Sequence, residues 1–154
     1  MNRKTMGQYF DFWNNMWAFF KRYPTGITDD NVWQAIPEAN ELSRTYCNIV
    51  NRSGIIEAVI RQLLEIGERE RDSLPDDGEA RIERVFKTIN TYNGLGHDTI
   101  SAFMTWLGWL SDLYPDQADN IVDGLAKTLS NFGMHFSNEE LEAYIEAGWM
   151  IQGR

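Results

Sequence analysis

The chain of 154 residues has little of what secreted and membrane proteins carry. Its one cysteine, Cys47, cannot form an internal disulfide and is predicted to be a buried thiol. Its longest apolar segment, residues 100–114, is too short to cross a bilayer and contains four polar side chains. The N-terminus lacks the apolar stretch of a signal peptide, and no alternating strand pattern holds for more than a few residues. These absences predict a soluble, all-α protein of the reducing cytoplasm.

Basic residues are also scarce, above all in the last third of the chain. The net charge is −9 and the isoelectric point is about 4.6. Residues 98–154 carry nine acidic and two basic side chains, a net charge of −7, whereas the first 97 residues carry only −2. Such a chain repels phosphates, which argues against direct binding of DNA or RNA. It predicts instead a protein partner that is itself basic, as most nucleic-acid-binding proteins are.

What the chain does have is apolar residues at helical spacing, separated by short breaks. Hydrophobic residues make up 43% of the sequence. This pattern predicts one compact domain, 1–154, of about seven short to medium helices in an orthogonal or irregular bundle. The linker-like segment 73–78 gives an alternative division into 1–72 and 79–154. Thr28 is predicted to cap a short helix, Pro37 to begin the next one, and Ser137 and Glu140 to form a capping box.

The first predicted helix, residues 6–23, places ten large apolar side chains within about 180° of arc. A face that wide must be covered by the protein's own core, by a second copy or by a partner. Wide aromatic faces usually become buried, which favours a central helix of the fold. The alternative is a hydrophobic interface for a homodimer or a partner, centred on Trp13, Trp17 and Phe20. The polar half carries too few basic residues for a helix that lies on a membrane.

Two rows of carboxylates lie opposite the apolar stripes of the last two predicted helices. They are predicted to form a protein-binding surface made of Asp116, Asp119, Asp123, Glu139, Glu142 and Glu146. Such rows imitate a phosphate backbone and could occupy a basic nucleic-acid groove. In charge and size the chain resembles small acidic proteins of phages and other mobile elements, including some anti-CRISPR proteins, that act in this way. A solvated face that keeps the protein soluble is the alternative interpretation.

Two E-x-x-E pairs, Glu38 with Glu41 and Glu65 with Glu68, each place two carboxylates one helical turn apart. Two such pairs on packed helices could hold Mg²⁺ and, through it, a polyphosphate. The spacing resembles that of the all-α MazG-type nucleotide pyrophosphohydrolases over about thirty residues. It departs from that family because Glu68 replaces an aspartate and a charged run follows.

The favoured interpretation is a protein-binding module without enzymatic activity and without a cofactor. It would act as an acidic inhibitor or adaptor of a basic, nucleic-acid-handling protein. A Mg²⁺-dependent nucleotide hydrolase and a structural homodimer built on the first helix are the two alternatives.

Overall fold

The computed structural model describes residues 1–48, 54–71, 78–92 and 96–147, with side chains up to residue 145 in the last range. Within these ranges the chain forms seven α-helices and one 3₁₀ turn, and no strand. The elements are α1 Arg3–Lys21, α2 Val32–Thr45, α3 Ile55–Arg69, α4 Gly78–Ile89, α5 His97–Leu113, the 3₁₀ turn Pro115–Gln117, α6 Ala118–Asn131 and α7 Asn138–Ala147. The all-α prediction is confirmed. No helix in these ranges is both long enough and apolar enough to cross a membrane.

The chain divides into two compact units. The first comprises residues 1–71 with 151–154, and the second comprises residues 72–150. Helices α1, α2 and α3 pack against one another in the first unit, and α4 to α7 pack together in the second. Residues 72–77, which hold most of the linker-like segment, lie outside the described residues.

The first unit depends on a backbone contact between the α1–α2 loop and α3. Gly26 adopts a positive φ of 80°, which side chains other than glycine rarely tolerate. The next residue, Ile27, donates its backbone N–H to the Leu63 carbonyl at 2.9 Å. A Cβ on Gly26 would overlap the Gly67 backbone nitrogen, and a Cβ on Gly67 would overlap the Ile27 carbonyl oxygen. The loop and helix therefore touch because both positions are glycine.

Helix α2 corrects two predictions, because Thr28 caps no short helix and Pro37 does not begin a new one. One continuous helix contains Pro37. The proline removes a single backbone hydrogen bond, while Ile36 and Ala39 on either side of it are fully buried in the core. Asn31 precedes the helix and binds back to the loop, accepting from the Thr28 N–H and donating to the Gly26 carbonyl.

Two tyrosines lie at the ends of the α1–α2 contact. Burial, and then the neighbouring Glu38 carboxylate, raises the pKa of Tyr23 well above its usual value of 10.0. Burial, and then the hydrogen bond that its hydroxyl donates to Asp11 at 2.8 Å, also raises the pKa of Tyr46. A hydrogen bond that the Asn15 side-chain amide donates to the same hydroxyl lowers the pKa and opposes this shift. Because Tyr46 takes the buried position at the end of α2, the next residue, Cys47, is exposed. The prediction of a buried thiol is wrong.

In the second unit, aromatic rings fill the space between the helices. The Phe86 ring of α4 meets Phe103 of α5 edge to face, at 5.6 Å between ring centroids. On its other side Phe86 lies where a Cβ on Gly124 of α6 would be. Helix α7 begins with the predicted capping box, because the Glu140 N–H donates to Ser137 Oγ and the Ser137 N–H donates to Glu140 Oε1.

A buried arginine crosses this second core. Arg81 of α4 is 1% exposed, and its guanidinium carbon lies 5.5 Å from the Trp106 ring centroid and 5.9 Å from that of Tyr114. Its Nη1 donates to the Tyr114 hydroxyl at 3.2 Å. The sequence pattern does not predict the burial of Arg81, because charged residues are rarely fully buried. The aromatic faces make its burial tolerable.

We expect alanine at Gly67 to destabilise the first unit strongly. The added methyl must push the α1–α2 loop off α3, which should lower the free energy of unfolding by about 2–4 kcal/mol. Gly7 provides the matched control, since a Cβ there meets no described atom within 4 Å and the site is helical. Gly7→Ala should raise stability by about 0.5–1 kcal/mol. Urea denaturation measures both, and equal effects at the two glycines would contradict the contact.

Alkaline pH should weaken the fold through the buried tyrosine hydroxyls. A pKa raised in the folded state stabilises the protein below the unfolded value of about 10, and this contribution is lost as pH rises through the folded value. The free energy of unfolding should therefore fall above pH ~10. Because Tyr23→Phe removes one titrating hydroxyl, the free energy of unfolding of this variant should decline less steeply with pH than that of the wild type. Denaturation curves across this pH range test the expectation, and identical slopes in both proteins would refute it.

Candidate functional site

The wide apolar face of α1 divides into two rows with opposite environments. Phe12, Met16 and Phe19 form the buried row. The exposed row is made of Met6, Phe10, Trp13 and Trp17, whose exposed fractions are 61%, 71%, 51% and 61%. The expectation of a central helix holds only for the first row. We call the second row the aromatic stripe.

The aromatic stripe runs straight along the helix. Its members follow one another at intervals of four, three and four residues, so they stay on one side of α1. Phe20 continues the row, is half-buried, and stacks on Trp17 with ring centroids 6.1 Å apart. The structure therefore brings together all three aromatic residues predicted for the interface.

Exposed cations flank the aromatic stripe at both of its ends. Arg3 lies in the first turn of α1 and Lys21 lies in the last, both on the side of the helix that carries the stripe. Neither forms an ion pair with a described residue. The stripe is thus an apolar surface with a positive charge at either end.

The negative charge of the protein belongs to the second unit. Residues 72–150 hold fourteen acidic and four basic side chains, a net charge of −10, whereas residues 1–71 hold nine of each. Five of the six carboxylates of the predicted binding surface are exposed, and none of the five pairs with a described basic residue: Asp116, Asp119, Asp123, Glu139 and Glu142. The side chain of Glu146 lies outside the described residues.

Two of these carboxylates, Glu142 and Asp123, line cavities, and the two cavities are different. A cavity of about 350 Å³ between α5, α6 and α7 is lined by Glu142 and by Asp112, with apolar walls from Val122 and Ile145. A second cavity, of about 420 Å³, lies between α4 and α6. Its charged lining residues are Asp123, Glu79, Glu83 and Lys127. The acidic surface therefore extends onto α4 and α5, where Asp112, Glu79 and Glu83 were not predicted from the sequence.

Comparison with known proteins gives no relative. No family model matches the chain, and no curated protein or solved structure is significantly similar to it. The chemistry of this protein must therefore be argued from its own surfaces.

The four glutamates of the E-x-x-E pairs do not converge on a common point in the contacts of the first unit. Glu38 accepts from Arg22 at 3.0 Å and from Gln34 at 3.1 Å.

Two more of these glutamates form ion pairs with arginines on their own segments of the chain. Glu41 pairs with Arg44 at 2.9 Å, and Glu68 pairs with Arg71 at 3.5 Å. Across the described ranges, no three His, Cys, Asp or Glu side chains group so that they could hold a metal ion. The hydrolase alternative, with Glu65 as its fourth ligand, stays a prediction that these contacts do not support.

Removal of the exposed indole of Trp17 should leave the fold almost intact. We expect Trp17→Ser to change the free energy of unfolding by less than about 1 kcal/mol, because the side chain is mostly in water. Phe19→Ala, two residues further along the same helix, should cost about 3–5 kcal/mol, because that ring is fully buried. Guanidinium denaturation followed by circular dichroism compares them. A large loss of stability in Trp17→Ser would show that the stripe belongs to the core.

Proposed function

We propose that this chain is a protein-binding module without enzymatic activity, whose acidic second unit binds a basic protein that handles nucleic acid. It would act there as an inhibitor or an adaptor. The observation that carries the proposal is the concentration of the net charge, −10, in the second unit, where the exposed carboxylates of α6 and α7 have no basic partner among the described residues. Because no ion pair with a described residue neutralises them, these charges are available to another molecule.

Charge of this kind acts mainly on the rate of encounter. A strongly negative surface attracts a cationic partner from a distance and orients it, whereas lasting affinity requires desolvated anchor residues. The second unit offers two such anchors. Phe136 and Tyr144 are 37% and 48% exposed, and their rings meet edge to face at 5.4 Å. They lie beside the first turn of α7, which carries Glu139 and Glu140.

Occlusion is the simplest mechanism for such a module. A partner groove that binds nucleic acid presents cations spaced to meet phosphates, and carboxylates on a rigid helical surface can occupy the same positions. The bound module would then exclude nucleic acid by competition. No bond is made or broken in this mechanism.

Charge reversal on α6 and α7 should abolish binding of the partner. The test protein carries Asp119→Lys, Asp123→Lys and Glu142→Lys, and the matched control carries Asp30→Lys, Glu65→Lys and Glu70→Lys on the first unit, where all three positions are exposed. Both proteins undergo the same change of net charge. Affinity capture from a host lysate, read by mass spectrometry, should recover one basic, nucleic-acid-binding protein with the wild type and the control, and not with the test protein.

Salt and competitor DNA complete this experiment. Raising ionic strength from about 0.1 M to about 1 M shortens the screening length from roughly 10 Å to roughly 3 Å and should release the partner. Duplex DNA should compete for the partner's groove. Binding that resists salt, or that is lost equally in both triple variants, would contradict an electrostatic acidic surface.

A further inference from the structure

The aromatic stripe of α1 is the largest exposed apolar feature among the described residues, and the acidic surface does not explain it. Apart from Met1, the exposed large apolar side chains of the described ranges belong either to the stripe or to the Phe136–Tyr144 pair. The four stripe residues expose on the order of 500 Å² of mostly apolar surface. The largest apolar patch on a monomer is commonly of about this size and is often functional.

The spacing of the stripe indicates the shape of what covers it. Alternating intervals of four and three residues form the apolar seam by which one α-helix packs along another. From Met6 to Trp17 the row is about 17 Å long, which corresponds to three turns of a partner helix. An apolar row of this kind is also how helices dock into hydrophobic surfaces of other proteins.

The charges at the ends of the stripe indicate the chemistry of the partner. Arg3 at one end and Lys21 at the other make no ion pair with described residues. A helix that covers the stripe brings its own ends close to these cations. Acidic residues at both ends of the partner helix would be attracted, and basic ones would be repelled.

A second copy of this chain fits the stripe poorly. If two α1 helices paired, cations would meet cations at both ends, whether the helices ran parallel or antiparallel. The other exposed aromatic surface, Phe136 with Tyr144, offers only two half-exposed rings and cannot cover a row of three turns.

We propose that the aromatic stripe is a docking site for an amphipathic helix of another protein, with apolar residues at alternating intervals of three and four and acidic residues at both ends. Trp13 and Trp17 at the centre of the stripe are its anchors. This site lies in the first unit, whose residues 1–71 carry no net charge, and it differs in chemistry from the acidic surface of the second unit. With two surfaces of different chemistry the protein is an adaptor that can hold two partners.

Three designed peptides of 18 residues, each labelled with a fluorophore, test the proposal by fluorescence anisotropy with the full chain. The first has leucine at the alternating spacing and glutamate at both ends. The second replaces those glutamates by lysine, and the third keeps the composition of the first but shuffles the leucine spacing. We expect the first to bind about tenfold or more tightly than either of the others.

Variants of the chain assign the binding to the stripe. The double variant Trp13→Ala with Trp17→Ala should bind the glutamate-ended peptide about tenfold or more weakly than the wild type does. Arg3→Glu with Lys21→Glu changes no packing and should reverse the preference between the two charged peptides. Lys87→Glu with Lys127→Glu, at exposed positions on α4 and α6, makes the same change of net charge and should change neither affinity.

Several results would overturn the proposal. Equal binding of the glutamate-ended and lysine-ended peptides would contradict acidic ends on the partner helix. If none of the three peptides bound, a helical partner would be contradicted. Concentration-dependent dimers in sedimentation velocity, lost in Trp13→Ala with Trp17→Ala, would assign the stripe to a second copy instead. The triple reversal on α6 and α7 should leave peptide binding unchanged, so failure of this proposal is distinguishable from failure of the acidic surface.

Discussion

The first unit depends on the contact between the α1–α2 loop and α3. Because Gly26 and Gly67 bring two backbones together, with the Ile27 N–H bonded to the Leu63 carbonyl, the loop that follows α1 lies directly on α3. Helix α1 packs against α2 and α3 with one apolar row turned inward. The other row has no place in that core, so its aromatic residues are exposed.

The second unit differs from the first because it carries fourteen acidic side chains and only four basic ones. The mutual repulsion of the acidic side chains favours the unfolded chain, and a dense aromatic interior opposes it. The interlocked Phe86 and Phe103 rings are part of that interior. So is Arg81, which contributes one of only four cations of the unit from within the core, held between Trp106 and Tyr114. The acidic surface therefore rests on a core that contains a positive charge.

Much of the fold follows from periodicity, whereas the surfaces do not. Local patterns identify the helices and the Ser137–Glu140 capping box, because these depend on neighbours in sequence. They do not identify which of the two rows of α1 is buried, since an apolar arc of 180° offers two equivalent rows and the packing of α1 on α2 and α3 selects one of them. Exposure of the acidic residues on α6 follows from their position opposite the apolar stripe. Their association with Glu79, Glu83 and Asp112 requires knowing which helices are neighbours.

The separation of charge from apolar exposure has a consequence for the order of events in an assembly. If both proposed surfaces bind, long-range attraction acts mainly on the unit with a charge of −10, so capture would begin at the acidic helices. The contact with the tryptophans of α1 would then form within one complex rather than between free molecules, which raises the local concentration of its partner. A contact that is weak between free molecules would thereby be strengthened. The proposed adaptor would then bind most firmly where both of its targets are already together.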